Sequence, residues 1–117
     1  MTYVDGFILP IPEGNIDAYK KLSRKAGKIW MQHGALAYME AVADDVPEGK
    51  TTDFYRAVKR KEGETVVFAY AVYKSRRHRD QVMKKVMADP NLKMDPAGMP
   101  FDGKRMFWGG FKSIVEF

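Results

Sequence analysis

The stretch "TVVFAYAVY", residues 65–73, constrains this chain more than any other. It carries no charge, and it is built from β-branched and aromatic side chains with two alanines between them. A turn sequence, "KEGE", precedes it, and Lys74 and Ser75 follow. A run of that length and content reads as a strand. Both of its faces are apolar, so both must be covered.

The segments around it supply a plan. Residues 3–10 are rich in strand formers and close at "PIP", a proline pair that stops a ladder. Asn15 stands as an N-cap. Tyr19, Leu22, Ala26, Ile29, Trp30 and His33 then recur at helical spacing, with lysines on the opposite side. Gly34 sits where a helix ends in a left-handed residue. Residues 35–43 read as a second strand, with Ala35, Ala37, Met39, Ala41 and Ala43 on one face. Leu36, Tyr38, Glu40 and Val42 take the other. "DDVPEGKTTD" is an exposed acidic loop, and residues 54–59 fit a short helix or an extra strand. Ser75 caps a second helix with a stripe of Val82, Met83, Val86 and Met87, stopped at "DPN". A loop with Pro96, Gly98 and Pro100 leads to a last strand over residues 105–117.

Strand, helix, strand, strand, helix, strand is the order of the ferredoxin-like α+β fold, βαββαβ, in one domain spanning residues 1–117. Its antiparallel sheet carries two helices on one face. Tyr3, Phe7, Leu9, Phe68, Tyr70, Val72 and Trp108 cannot all be covered by one helical layer. A bare sheet would expose a large apolar patch. A second copy packed about a two-fold axis resolves this, so a homodimer is expected.

Composition removes several function classes. The 117 residues include no cysteine, which excludes disulfides, thiolate nucleophiles and cysteine-based metal sites and fits a cytoplasmic protein. "MTYVDGFILPIP" lacks the basic start of a signal peptide, and no apolar run is long enough to span a membrane. Two histidines far apart in sequence, and no ligand-spaced carboxylates, argue against a metal. No phosphate loop, nucleophile elbow or dinucleotide fingerprint is present, so no cofactor is expected. The net charge is +5. Half of the 20 basic residues lie within residues 15–33 and 75–88, which gives the molecule a basic side. These helices lack interleaved aromatics and any RNA-binding signature, so a solvated lysine face is the simpler reading.

The segments "YVDGFILPIP", "WMQHGALAYMEAVADD", "VVFAYAVYKSRRHRDQVMKKVMADP" and "MPFDGKRMFWGGF" resemble the bacterial YbaA-like proteins, a family of unknown function. The resemblance runs in order across nearly the whole chain and is weakest over residues 46–62. It implies membership of the dimeric α/β-barrel superfamily, whose members include cofactor-free monooxygenases, haem-degrading enzymes, isomerases and stress proteins. It implies no catalytic residues.

Candidate site residues come from the chemistry of individual positions. His33, at a helix C-terminus, and Glu40, a carboxylate inside a strand, are the candidate catalytic groups. Asp5 holds a similar place in the first strand. Trp30, Tyr38, Asp5 and Trp108 are candidate pocket residues. The alanine row, if it faces the helices, would open a cavity roofed by Trp30, His33, Met83 and Met87. Arg76 and His78, in the cationic first turn of the second helix, could hold an anion with free N–H groups. Lys104 and Arg105, after the Asp102-Gly103 turn, could do the same at a pocket rim. The expected function is binding, with acid/base or oxygenation chemistry, of a small organic anion by a homodimer. A non-catalytic stress or interaction protein is the alternative, and RNA binding through the basic helices is a weaker one.

Overall fold

The computed structural model describes residues 1–92 and 98–117. The chain is α+β, with four strands and three α-helices among the described residues. The strands are β1 (Tyr3–Pro12), β2 (Ala37–Val42), β3 (Glu64–Tyr73) and β4 (Phe107–Lys112). The helices are α1 (Ile16–Gln32), the one-turn α2 (Phe54–Ala57) and α3 (Arg76–Ala88). The strands form one antiparallel sheet in the order β2-β3-β1-β4. The expected two-faced strand is β3, which lies in the interior of that sheet.

Register assigns every strand residue to a face. Tyr3, Asp5, Phe7, Leu9 and Ile11 of β1 align with Tyr73, Ala71, Ala69, Val67 and Thr65 of β3. This face meets α1 and α3. One core cluster joins Ile29, Ala35, Ala71, Tyr73, Val82 and Val86, and a second joins Leu9, Ile11, Tyr19 and Val67. The opposite face carries Val4, Ile8, Phe68, Tyr70, Val72, Phe107 and Phe111. Helix α2 touches one end of β3, where Phe54 meets Phe68 edge-on. The rest of that face is open, with Phe68 45 % and Phe111 65 % exposed.

Several expectations need correction. Strand β1 does not stop at Pro10 but runs to Pro12. Pairing with β4 ends at Ile8, so beyond it β1 is an edge on that side. The Glu13 N–H donates to Gly63 O, which places the odd-numbered donors of β1 toward β3. Pro10 and Pro12 therefore turn their missing donors to the unpaired side, where proline is tolerated. Asn15 makes no side-chain cap. Its Nδ2 instead donates to Pro100 O at 2.8 Å. Ser75 does cap α3, accepting from His78 N at 3.0 Å, and Gly34 takes φ 113° after α1.

The second strand is shorter than residues 35–43, and its faces are the reverse of what a helix-side cavity requires. Tyr38, Glu40 and Val42 share the helix side with Ala71, Ala69 and Val67. Ala35 packs in the helix-side core, but Ala37, Met39 and Ala41 lie on the open side, so the row as a whole does not line a cavity roofed by Trp30, His33, Met83 and Met87. Met87 is itself 71 % exposed. Of residues 54–59, Phe54–Ala57 form α2, with Asp53 accepting from Arg56 N at 2.7 Å. The last strand ends at Lys112 rather than 117. Pro96, in the loop before it, lies outside the described residues.

Candidate functional site

Helix α1 crosses β2 at Gly27. A Cβ placed there would stand 2.9 Å from Tyr38 Cδ1, so only glycine permits this approach. The close crossing puts Tyr38 and Glu40 of β2 beneath α1. About two turns before the crossing, α1 contributes Tyr19 to the same place. The Tyr38 hydroxyl donates to Glu40 Oε2 at 2.7 Å, and the Tyr19 hydroxyl donates to Glu40 Oε1. Each carboxylate oxygen thus accepts one phenol and keeps acceptor capacity. Burial, then the adjacent Glu40 charge, pushes the Tyr19 hydroxyl well above the ordinary phenol range. Burial and the hydrogen bond to Glu40 do the same for Tyr38. Both phenols therefore remain donors at any physiological pH.

Glu40 and Tyr38 form the floor of an open groove of about 890 Å³ along α1. Lys20, Arg24 and Lys28 line its wall, with Ser23, Met31 and Gln32. The spacing of four residues puts these three cations on one side of the helix. They read in the sequence as part of a solvated lysine face. Their position beside a carboxylate becomes visible only once β2 is placed.

A second polar cluster lies under α3. Asp5 is 1 % exposed, and its Oδ1 stands 3.4 Å from Arg79 Nη1 without a well-formed hydrogen bond. Burial raises the Asp5 carboxyl above its usual range, and the Arg79 charge opposes that. Trp30 Nε1 donates to the Tyr73 hydroxyl at 3.0 Å. Burial, then the Asp5 charge, raises Tyr73. Arg79 also donates to the Tyr3 hydroxyl at 3.3 Å and lies 5.8 Å from the Trp108 ring. Trp108 stacks on Phe7 at 6.1 Å.

The remaining candidates are dispersed. His33 Nε2 lies 2.7 Å from Asp89 Oδ2, which ties the end of α1 to the end of α3. His33 and Glu40 thus belong to different clusters. His78 Nδ1 accepts from Lys74 N at 2.9 Å, and Arg76 is exposed beside it. Lys104 is exposed, and its backbone N–H donates to Asp102 Oδ1 at 3.0 Å. Arg105 grips both oxygens of Glu64 at 2.7 Å and takes Asp102 at 3.0 Å and Lys59 O at 3.0 Å. A guanidinium so occupied has little left for a ligand. Sequence reasoning did not find Tyr19 or Glu64. In the sequence Tyr19 reads as part of a core stripe and Glu64 as part of the "KEGE" turn, although Glu64 opens β3.

Fold and groove together define a small α+β protein, one antiparallel sheet with a polar groove under its first helix. Residues 2–103 match the family described as "Protein of unknown function (DUF1428)". The chain belongs to this bacterial family. It is 47 % identical over 116 residues to "Uncharacterized protein YbaA" of Escherichia coli (strain K12), covering 99 % of each chain. The protein of that name from Shigella flexneri matches by the same figures. Among solved structures, the de novo designed protein Foldit4 matches with a TM-score of 0.45 at 7 % identity, over 99 % of this chain and 100 % of that one. The Bacillus subtilis GlnK–ATP complex matches with a TM-score of 0.34 at 19 % identity, over 94 % and 84 %. Among the described residues, no helix is long and apolar enough to cross a membrane.

Proposed function

We propose that this chain is a homodimer of the ferredoxin-like, dimeric α/β-barrel type that binds a small organic anion in the groove beneath α1. The observation that carries the ligand reading is Glu40, held by two phenols on the floor of a groove walled by Lys20, Arg24 and Lys28. The cations attract an anion and orient its charged end. Tyr38 and Met31 offer surface to its apolar part. Glu40 is then the group placed to accept or return a proton. The strand order supports the ferredoxin-like assignment. The open apolar face supports the dimer, because a patch of that extent is costly to leave in water. A cysteine-free composition favours the cytoplasm.

The test is titration of the purified protein with a panel of small carboxylates and phosphate monoesters, read by calorimetry. A member of the panel should bind, and Arg24→Glu/Lys28→Glu should weaken it about tenfold or more, as should high salt. Glu40→Gln, which removes the charge on the groove floor, should change the affinity. Equal binding by the charge-reversed variant, or no binding by the wild type, refutes the reading.

A further inference from the structure

The groove along α1 holds charges of both signs, and they are not spent on each other. Glu40 accepts the Tyr19 and Tyr38 hydroxyls, one on each oxygen. An ionised carboxylate offers about four acceptor sites, so about two remain. Both donors are neutral phenols, which leaves the charge of Glu40 uncompensated. Among the described residues, no ion pair involves Glu40, Lys20, Arg24 or Lys28. The three cations are exposed, and Glu40 is half-buried on the floor beside them. Ser23, also on the wall, gives its hydroxyl proton to Lys20 O at 3.3 Å, so it too has only an acceptor left to offer.

A carboxylate on the floor is costly to a ligand that is only an anion. Like charges brought together repel, and acceptor sites that lose water gain no donor in return. A ligand that brings its own donor removes the second cost. A hydroxyl would fill an acceptor site but leave the charge. An ammonium answers both, and a charge-assisted hydrogen bond is about twice as strong as a neutral one. We infer that the ligand of this groove is an aminated organic anion, with its ammonium on Glu40 and its anionic end on Arg24 and Lys28.

The crossing of the two elements keeps those ends apart. Contacts run in opposite order along them, since Glu40 meets Tyr19 and Tyr38 meets Gly27. Two residues of strand, about 7 Å, separate Tyr38 from Glu40. Glu40 therefore lies toward the start of α1. Lys28 lies past the crossing, followed by Met31 and Gln32. An ammonium at Glu40 is thus set away from the Lys28 charge, and the stem joining the two ends passes the Tyr38 ring. Glu40 becomes the residue that sets specificity, because it disfavours anions that lack a donor.

This inference rests on the anion-binding reading of the groove, and the experiment separates the two. Calorimetric titration compares γ-aminobutyrate with γ-hydroxybutyrate and butyrate, ε-aminocaproate with ε-hydroxycaproate and caproate, and phosphoethanolamine with ethyl phosphate. In at least one set the aminated member should bind the wild type about tenfold or more tighter than its counterparts. Glu40→Gln should abolish that advantage and bind the unaminated members more tightly, since the like charge is gone. Equal affinities within every set, or a hydroxyl as good as the amine, overturn the inference and leave the anion reading standing. So does an amine advantage that survives intact in Glu40→Gln. Binding by no member of any set overturns both. The wild-type comparison needs no variant, so it decides even where Glu40→Gln fails to fold.

Discussion

Replacing Gly27 with alanine sets two opposing effects against each other at one atom. Gly27 lies inside α1, where alanine is favoured over glycine by about 1 kcal/mol. On propensity alone the variant is more stable. The new methyl carbon, however, would lie 2.9 Å from Tyr38 Cδ1 and 3.0 Å from Cε1. The Tyr38 ring has little freedom to yield. Its hydroxyl is bound to Glu40 at 2.7 Å, and its face packs against Trp30 at 5.8 Å. Overpacking of this kind costs about 1–3 kcal/mol, and moving the ring stretches a hydrogen bond to a charged group worth about 1.5–3 kcal/mol. The net expectation is a loss of about 1–2 kcal/mol. In urea this lowers the midpoint by about 0.5–1 M at unchanged slope, measured at fixed protein concentration. In a Tyr38→Ala background the collision is gone, and the same substitution should stabilise by about 1 kcal/mol. A wild-type background that gains stability from Gly27→Ala would refute the account of the α1–β2 crossing.

Two further outcomes follow from the same structure. Ser75→Ala removes the side-chain acceptor for His78 N and should cost about 1 kcal/mol in urea unfolding, whereas Ser75→Gly should cost only a few tenths. Hydrogen bonds from Arg105 hold Glu64 below its ordinary value of 4.5, and hydrogen bonds from His33 hold Asp89 below 3.8. For both, the unfolded chain binds protons first as pH falls, so their contribution is present above the unfolded values and drains away below them. Urea midpoints should therefore fall as the pH is lowered through the range from about 4.5 downward. Arg105→Met should flatten that fall, and an unchanged profile would contradict the role given to the pair.

The strands and both long helices were legible because periodicity and punctuation agree there. Ser75 and Gly34 act at the positions their chemistry suits. What was hidden depended on partners distant in sequence. Tyr19 reads as core, yet its hydroxyl finds a carboxylate 21 residues on. His33 reads as a candidate general base or a hydrogen-bonded packing residue, and its partner, Asp89, lies 56 residues away. Arg105 reads as a cation at a rim, yet Glu64 meets it across 41 residues. The facing of β2 was hidden for another reason. A row of alanines fits any close approach, and only the choice of which edge lies under Gly27 decides which side it faces. Asn15 shows the same limit, since a good cap residue was recruited by Pro100 O instead.

Pro10 and Pro12 bear on how this chain can associate. Beyond Ile8 the flank of β1 is free of β4, and its outward donors would fall at two residues that have none. An incoming strand would find acceptors there but no N–H to bind, so the ladder cannot grow sideways along that stretch. Contact through the sheet face needs no such donors. The prolines thus separate two modes of self-association that a sheet otherwise permits together, closing one flank to open-ended stacking while leaving a finite pair available.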